Sequence, residues 1–189
     1  MKIGVLAIQG DFEAHKKRLE ELGANVVLVR KPEQLDEVDG LVIPGGESGA
    51  FLKIMGEEGF AKLSEFVRRK PTFGTCAGAI MLAREVINPH QPGLGALDIC
   101  IRRNAYGRQV ESSIRTGETS LPGGPMEMVF IRAPRIEQVG PQVEVLAREG
   151  KDPVIVRQGK AMAATFHPEL SDDLRVHRAF LDLVCNGRH

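Results

Sequence analysis

The sequence predicts an α/β fold of three layers, in which a flavodoxin-like, mixed but mostly parallel sheet carries helices on both faces. Two observations predict it. Short apolar segments alternate with amphipathic segments of helical period through the first half of the chain, and the links between them are short. One more amphipathic segment, over residues 172–185, then closes the chain as a helix.

The first half divides into clear strand and helix segments. Residues 2–8 are almost wholly apolar, which is typical of a strand covered on both faces. Asp11 is placed to cap a helix over residues 12–22, and Gly23 stands where a helix commonly ends. Further strands are expected at residues 25–29, 40–43 and 71–75, with a helix ending over residues 63–69 before the last of them.

Beyond about residue 95 the pattern changes to strands with few helices between them. Some of these strands are expected to extend the sheet, and others to form antiparallel hairpins beside it. No repeat, low-complexity stretch or change in composition marks a linker, so we predict a single domain over residues 1–189. The strands are expected at residues 98–102, 110–114, 127–131, 143–147, 153–157 and 162–166.

Composition excludes several classes of function. The 25 Lys and Arg balance the 25 Asp and Glu, so no net charge favours nucleic acid or an anionic membrane surface as a partner. No apolar run approaches the roughly 20 residues that span a bilayer. The three cysteines suit neither a disulfide framework nor a CxxC metal site, and they predict a reducing, cytoplasmic compartment.

The segment Gly74-Thr75-Cys76-Ala77-Gly78 has the pattern of a nucleophile elbow, a tight strand-to-helix turn that exposes a reactive side chain. The glycines are required because the turn crowds the backbone against neighbouring elements. A helical stretch over residues 77–83 would place Cys76 at a helix N-terminus, which stabilises a thiolate. Cys100 and Cys185, by contrast, are expected to be core residues.

His167 is the candidate base for this nucleophile. It follows the last predicted strand, and functional groups in open α/β sheets gather at the carboxyl ends of strands. Glu169, two residues on, is placed to hold the imidazole Nδ1–H so that Nε2 faces the thiol. His15, on the first helix, is a weaker competitor that is expected to pack or to lie at an interface. His177, in a charged helix, is expected to be solvated.

A candidate oxyanion hole follows the third strand, at Pro44-Gly45-Gly46-Glu47-Ser48. Backbone in such a loop can approach a ligand without obstruction by side chains, and acyl transfer needs donors of this kind. A Gly-Gly pair alone is weak evidence, because turns use it often.

Together these segments resemble the class I glutamine amidotransferases, with their Cys-His-Glu triad. The resemblance covers nearly the whole chain and is closer still to the family of glutaminase subunits of pyridoxal 5′-phosphate synthase. The cysteine and histidine motifs are typical of the wider class, whereas RNAYGRQ and FIRAP single out this family. The matching segments are VLAIQG at 5–10, PGGES at 44–48, GTCAG at 74–78, RNAYGRQ at 103–109, FIRAP at 130–134 and HPEL at 167–170.

The resemblance implies a role for each residue. Cys76 would attack the side-chain amide carbon of L-glutamine, forming a glutamyl thioester and releasing ammonia. His167 would move the protons, Glu169 would orient it, and the N–H groups of Gly46 and Ala77 would hold the oxyanion. Glutamine would be bound by Gly46, Glu47, Ser48, Arg103, Ile131 and Arg132.

The resemblance also implies a partner. Ammonia would pass to a separate synthase subunit, which builds pyridoxal 5′-phosphate from a pentose phosphate and a triose phosphate. The chain itself has neither a phosphate-binding loop nor a cofactor lysine setting, so no cofactor is expected. Because leaked ammonia would waste glutamine, we expect low activity alone and activation by the synthase.

One residue departs from the family pattern. Gly49 follows Glu47-Ser48 where the family usually has threonine, and a glycine there is expected to loosen the loop that presents the Gly46 N–H. The alternatives are the glutaminase of another synthase such as imidazole glycerol phosphate synthase, a cysteine peptidase or γ-glutamyl hydrolase, and a catalytically silent flavodoxin-like interaction module.

Overall fold

The computed structural model describes residues 1–103 and 112–187. The RNAYGRQ stretch beyond Arg103 and the start of the strand expected at residues 110–114 lie outside this range. The helices are α1 (Phe12–Glu21), α2 (Ser48–Arg69), α3 (Ala77–Leu82) and α4 (Arg175–Asn186), with short 3-10 helices at Pro32–Glu37 and Pro168–Leu170. The strands are β1 (Lys2–Leu6), β2 (Asn25–Val29), β3 (Gly40–Ile43), β4 (Thr72–Thr75), β5 (Ala83–Ile87), β6 (Leu97–Arg102), β7 (Ser112–Thr119), β8 (Met126–Ile131), β9 (Arg135–Val139), β10 (Glu144–Glu149), β11 (Asp152–Gln158) and β12 (Ala161–Ala164).

The described strands form one large mixed sheet and one small sheet. The large sheet has the order β2-β1-β3-β4-β12-β11-β10-β7-β8. Its strands from β2 to β12 pair in parallel, and the pairing from β12 to β8 is antiparallel, so the predicted hairpins of the second half extend the sheet itself. The small sheet has the order β5-β6-β9. Among the described helices, none is long and apolar enough to span a membrane.

The three predicted layers are held together by two hydrophobic cores, one on each face of the large sheet. Alternate residues of a strand point to opposite faces, and in β3 Val42 belongs to one core while Ile43 belongs to the other. The first core contains Leu19 of α1 and Phe180 of α4. The second contains Phe51 of α2, together with α3 and the small sheet.

Some elements differ from the sequence predictions. The helix expected over residues 77–83 ends at Leu82, because Ala83 already begins β5 and pairs with Leu97 of β6. Strand β9 was not expected, since only Ile136 of its five residues is buried and the apolar pattern is therefore faint. Cys100 is buried as predicted, but the prediction for Cys185 is wrong, because that residue lies on the exposed side of α4.

The topology brings three loops together at one edge of the sheet. Strand β4 lies between β3 and β12, with Gly74 opposite Ile43 and Thr75 opposite Ala164. All three strands are parallel, so the segments that follow their carboxyl ends emerge side by side. Those segments hold the Gly45-Gly46 loop, Cys76 and His167.

Candidate active site

Cys76 occupies the sharp turn between β4 and α3. Its backbone has φ 52° and ψ −106°, a positive φ that is uncommon for a residue with a side chain. The Cys76 N–H donates to the Ala164 carbonyl of β12 at 2.9 Å, which fixes the turn against the sheet. A strained backbone held in this way is typical of a functional position.

Two glycines make this turn possible. A Cβ at Gly74 would overlap the backbone carbonyl of Gly78, and a Cβ at Gly78 would overlap the carbonyl oxygen of Ile43 in β3. Backbone atoms cannot yield as the end of a flexible side chain can. The elbow predicted from the sequence is therefore present, and its glycines are required by close backbone approach.

His167 is held by Glu169, as expected. Its Nδ1 lies 2.6 Å from Glu169 Oε1, and both residues are buried. A carboxylate can only accept, so Nδ1 carries the proton and Nε2 is left to face the site. Nε2 is buried and forms no hydrogen bond with any residue in the described ranges.

Gly45 lies close to both the imidazole of His167 and the side chain of Cys76. A Cβ at Gly45 would lie 2.7 Å from His167 Cε1 and 3.5 Å from Cys76 Cβ. Any side chain at this position would therefore clash with the ring of His167. The absence of a side chain at Gly45 allows the candidate nucleophile and base to lie together.

The surroundings of His167 favour its charged form. Burial acts to lower the pKa of His167, but the interactions of the ring with Cys76 and with the Glu169 carboxylate outweigh it and raise the pKa from 6.5 to about 10. Cys76 thus lies within electrostatic reach of Nε2 although the two have no well-formed hydrogen bond. Catalytic hydrogen bonds are often long without substrate and tighten when it binds.

The end of β8 approaches the thiol. Cys76 Sγ lies 4.0 Å from the Ile131 carbonyl oxygen, a long contact in which the thiol donates. Arg132, the next residue, has φ 44° and an exposed side chain. This geometry brings the Ile131–Arg132 segment, predicted to bind substrate, to the mouth of the elbow.

The loop after β3 holds its polar residues in specific contacts. The Glu47 carboxylate caps α2 by accepting from Gly49 N at 2.9 Å and Ala50 N at 2.7 Å. Arg103 Nη2 donates to Glu47 Oε1 at 2.9 Å, so two predicted substrate-binding residues form an ion pair. The Ser48 hydroxyl donates to Gln91 Oε1 at 3.2 Å, and Gly46 has a positive φ of 138°.

Gly49 belongs to the helix that follows this loop. It lies in the first turn of α2, where its N–H is bound by Glu47. A Cβ at Gly49 would lie 3.1 Å from Glu47 Oε1, closer than side chains normally pack. The glycine therefore leaves room for the capping carboxylate, and its effect on the preceding loop stays a prediction.

Two histidines that the sequence did not assign to the site lie directly behind it. His15 and His177 are completely buried, and His15 Nδ1 lies 2.9 Å from His177 Nε2. The prediction that His177 is solvated is wrong, because the apolar stripe of α4 turns it inward beside Phe73. A signal was available for His15, which shares a helix face with Leu19, four residues on.

Comparison with known proteins gives concordant matches. A model of the SNO glutamine amidotransferase family matches residues 5–186. Pyridoxal 5′-phosphate synthase subunit PdxT of Koribacter versatilis (strain Ellin345) is 70% identical over 187 residues, 99% of this chain and 97% of that protein. The PdxT subunit of Thermotoga maritima is 51% identical over 187 residues, 97% of this chain and 100% of that protein.

Solved structures agree with the fold. A crystal structure of a glutamine amidotransferase has a TM-score of 0.89 and 48% sequence identity, covering 97% of this chain and 98% of that chain. A putative GMP synthase subunit from Thermoplasma acidophilum has a TM-score of 0.74 at 16% identity, covering 100% and 96%, a level that supports the fold alone. These neighbours confirm the predicted fold class.

The elbow predicts the effect of a single methyl group at Gly78. Gly78→Ala should lower the free energy of unfolding by about 2 kcal/mol or more, towards the upper end of overpacking costs, because β3 and α3 must separate. Chemical denaturation measures it. Gly187→Ala is the control, since a Cβ there meets no atom closer than 3.5 Å. Equal stability of the two variants would contradict the packing argument.

The interaction of Cys76 with His167 should be measurable as a change in the pKa of His167. Because Cys76 contributes to the raised pKa of His167, Cys76→Ala should lower that pKa. Nitrogen-15 NMR of the labelled histidine rings measures it directly, and the histidines outside this site serve as internal controls. An unchanged His167 titration would mean that the thiol and the imidazole do not interact.

Proposed function

The chain belongs to the SNO glutamine amidotransferase family, and from that membership we propose that it is the glutaminase subunit of a pyridoxal 5′-phosphate synthase. It hydrolyses L-glutamine to L-glutamate and ammonia. The observation that carries the proposal is Cys76 on its strained elbow, beside a His167 that Glu169 holds at 2.6 Å. The 70% identity to a PdxT subunit over nearly the full length of both chains supports the choice of synthase.

The reaction begins at the thiol. His167 Nε2 takes the proton of Cys76, and Sγ attacks the side-chain amide carbon of glutamine. The protonated His167, favoured by its raised pKa, then gives its proton to the amide nitrogen as the carbon–nitrogen bond breaks. Ammonia leaves and a glutamyl thioester remains. His167 next removes a proton from water, whose oxygen attacks the thioester, and the returned proton restores the thiol as glutamate departs.

Two backbone N–H groups hold the negative oxygen in this scheme. Ala77 is the first residue of α3, and the N–H groups in the first turn of a helix have no partner within that helix. Gly46 lies in the loop that follows β3. Donors fixed by the fold stabilise an oxyanion without the cost of reorganising solvent.

The substrate is a zwitterion, and the Glu47–Arg103 ion pair offers one group of each sign. Arg103 can take the α-carboxylate in a bidentate pair, and Glu47 can accept from the α-ammonium group. Ser48, Ile131 and Arg132 complete the glutamine site. Binding of glutamine then exchanges part of an existing ion pair for two new ones, which favours an amino acid over a simple amide.

Ammonia is the useful product, and the synthase subunit consumes it. Ammonia released into water would be protonated and lost as a nucleophile, so direct transfer between subunits is part of the proposal. Activity should rise when the synthase binds, since an uncoupled glutaminase wastes substrate. A reducing cytoplasmic compartment suits a thiol nucleophile and the free Cys76, Cys100 and Cys185.

The assay of this proposal is glutamate release by the purified chain, alone and with excess synthase subunit. The wild-type chain should be strongly stimulated by the synthase, and Cys76→Ala should release no glutamate in either mixture. Cys185→Ala, which removes an exposed thiol, should match the wild type. Turnover by Cys76→Ala, or hydrolysis of γ-glutamyl peptides in preference to glutamine, would refute the assignment.

Glu169→Gln tests the orienting acid. The amide keeps the shape of the side chain but can present a donor to His167 Nδ1, and it removes the charge that helps to raise the His167 pKa. We expect kcat to fall by roughly 10²–10⁴-fold, as when the acid of a serine triad is replaced. Circular dichroism should show an intact fold. A rate near the wild-type value would mean that another group orients His167.

A further inference from the structure

We propose that His15 is a positioning residue for Cys76 and Glu169. It acts on Glu169 through Oε2, the carboxylate oxygen that does not accept from His167. The proposal rests on the proposed function. His15 Nε2 lies 3.1 Å from Thr75 Oγ1 and 3.3 Å from Glu169 Oε2. One ring nitrogen therefore contacts both the residue before Cys76 and the acid of the triad.

Glu169 needs support on this side because it is completely buried. Its Oε1 accepts from His167, whereas Oε2 forms no hydrogen bond with any residue in the described ranges. Burying a carboxylate oxygen without a donor costs free energy. A His15 Nε2–H group that donates mainly to Thr75 also lies beside Oε2, where its positive end stabilises the negative charge. The backbone of Glu169 is held as well, since Arg18 Nε donates to its carbonyl at 3.3 Å.

The contacts select one arrangement of protons. If Nε2 of His15 carries the proton, it donates towards Thr75 and Glu169, and Nδ1 accepts from His177 Nε2–H. His177 Nδ1, buried and without a partner among the described residues, is then a bare acceptor. The opposite tautomer would aim a lone pair at the carboxylate and bury an unpaired N–H on His177, which is the costlier arrangement.

His15 acts in this arrangement without charge. Burial, followed by the influence of His177 and His167, holds the pKa of His15 well below 6.5, and burial lowers the pKa of His177 to about 3. A neutral donor stabilises the Glu169 carboxylate without cancelling its charge. The full negative charge of Glu169 remains available to favour the imidazolium of His167. A lysine or arginine at position 15 would neutralise it.

Thr75 links His15 to the strand that carries the nucleophile. It is the last residue of β4 and directly precedes Cys76. Its side-chain bond to His15 ties the strand that carries the nucleophile to α1. The same ring approaches Glu169, so one residue of α1 contacts both Glu169 and the residue that precedes Cys76. Loss of His15 should therefore slow the chemical step and leave binding of glutamine unchanged.

The test compares two side chains of similar size and flexibility at position 15. His15→Met removes every donor, while His15→Gln restores an N–H near the position of Nε2. In the complex with the synthase, we expect His15→Met to lower kcat by about 10- to 100-fold, by analogy with the loss of residues that orient metal ligands, with KM little changed. His15→Gln should recover most of the loss. Leu19→Met, a volume-conserving change one turn along α1, is the control for repacking.

The outcomes separate this proposal from the proposed function. Wild-type kcat in folded His15→Met, or an equal loss in both variants, would overturn the role of His15. Absence of glutamate release by the wild-type complex, or activity in Cys76→Ala, would instead overturn the glutaminase assignment. Nitrogen-15 NMR of the wild-type chain decides the case if His15→Met does not fold. It should show neutral His15 protonated on Nε2, and a proton on Nδ1 or a charged ring would refute the proposal.

Discussion

The active site depends on the close approach of α3 to the end of β3. Gly78 lies so near the Ile43 carbonyl that no side chain fits, and a Cβ at Gly74 would overlap the Gly78 carbonyl. This packing forces Cys76 into a positive φ and turns its side chain out of the path of the chain. Everything else in the site is placed relative to that turn. Gly45 follows the same β3 strand, and its missing side chain is what admits His167.

Behind the turn lies a chain of buried polar groups. It runs from His177 through His15 to Glu169 and His167, and it ends at the thiol. Each member is nearly or fully removed from water. Burial keeps His15 and His177 neutral, whereas the neighbouring carboxylate and sulfur favour a charged His167. One apolar environment therefore holds identical side chains in different charge states, according to what each one touches.

Much of this could be predicted from the sequence because the signals were local. The spacing of Gly74, Cys76 and Gly78 specifies a turn, and a buried run such as Gly40–Ile43 specifies a strand. Strand β9 could not be predicted in this way, because it depends on pairing with β6, which is distant in the chain. The inward direction of His177 follows the apolar stripe of α4, but its contact with His15, 162 positions away, has no local signal. The pairing of Arg103 with Glu47 is likewise a tertiary contact that no motif records.

The central claim is that Cys76 attacks the side-chain carbonyl carbon of glutamine. A diazoketone analogue of glutamine keeps a carbonyl carbon at that position and carries an alkylating carbon in place of the amide nitrogen, and peptide mass spectrometry locates the label in the complex with the synthase. We expect one label per chain, on Cys76, prevented by an excess of glutamine and absent when His167 is replaced by alanine. Labelling of the exposed Cys185 alone, or labelling of Cys76 that glutamine does not prevent, would contradict it.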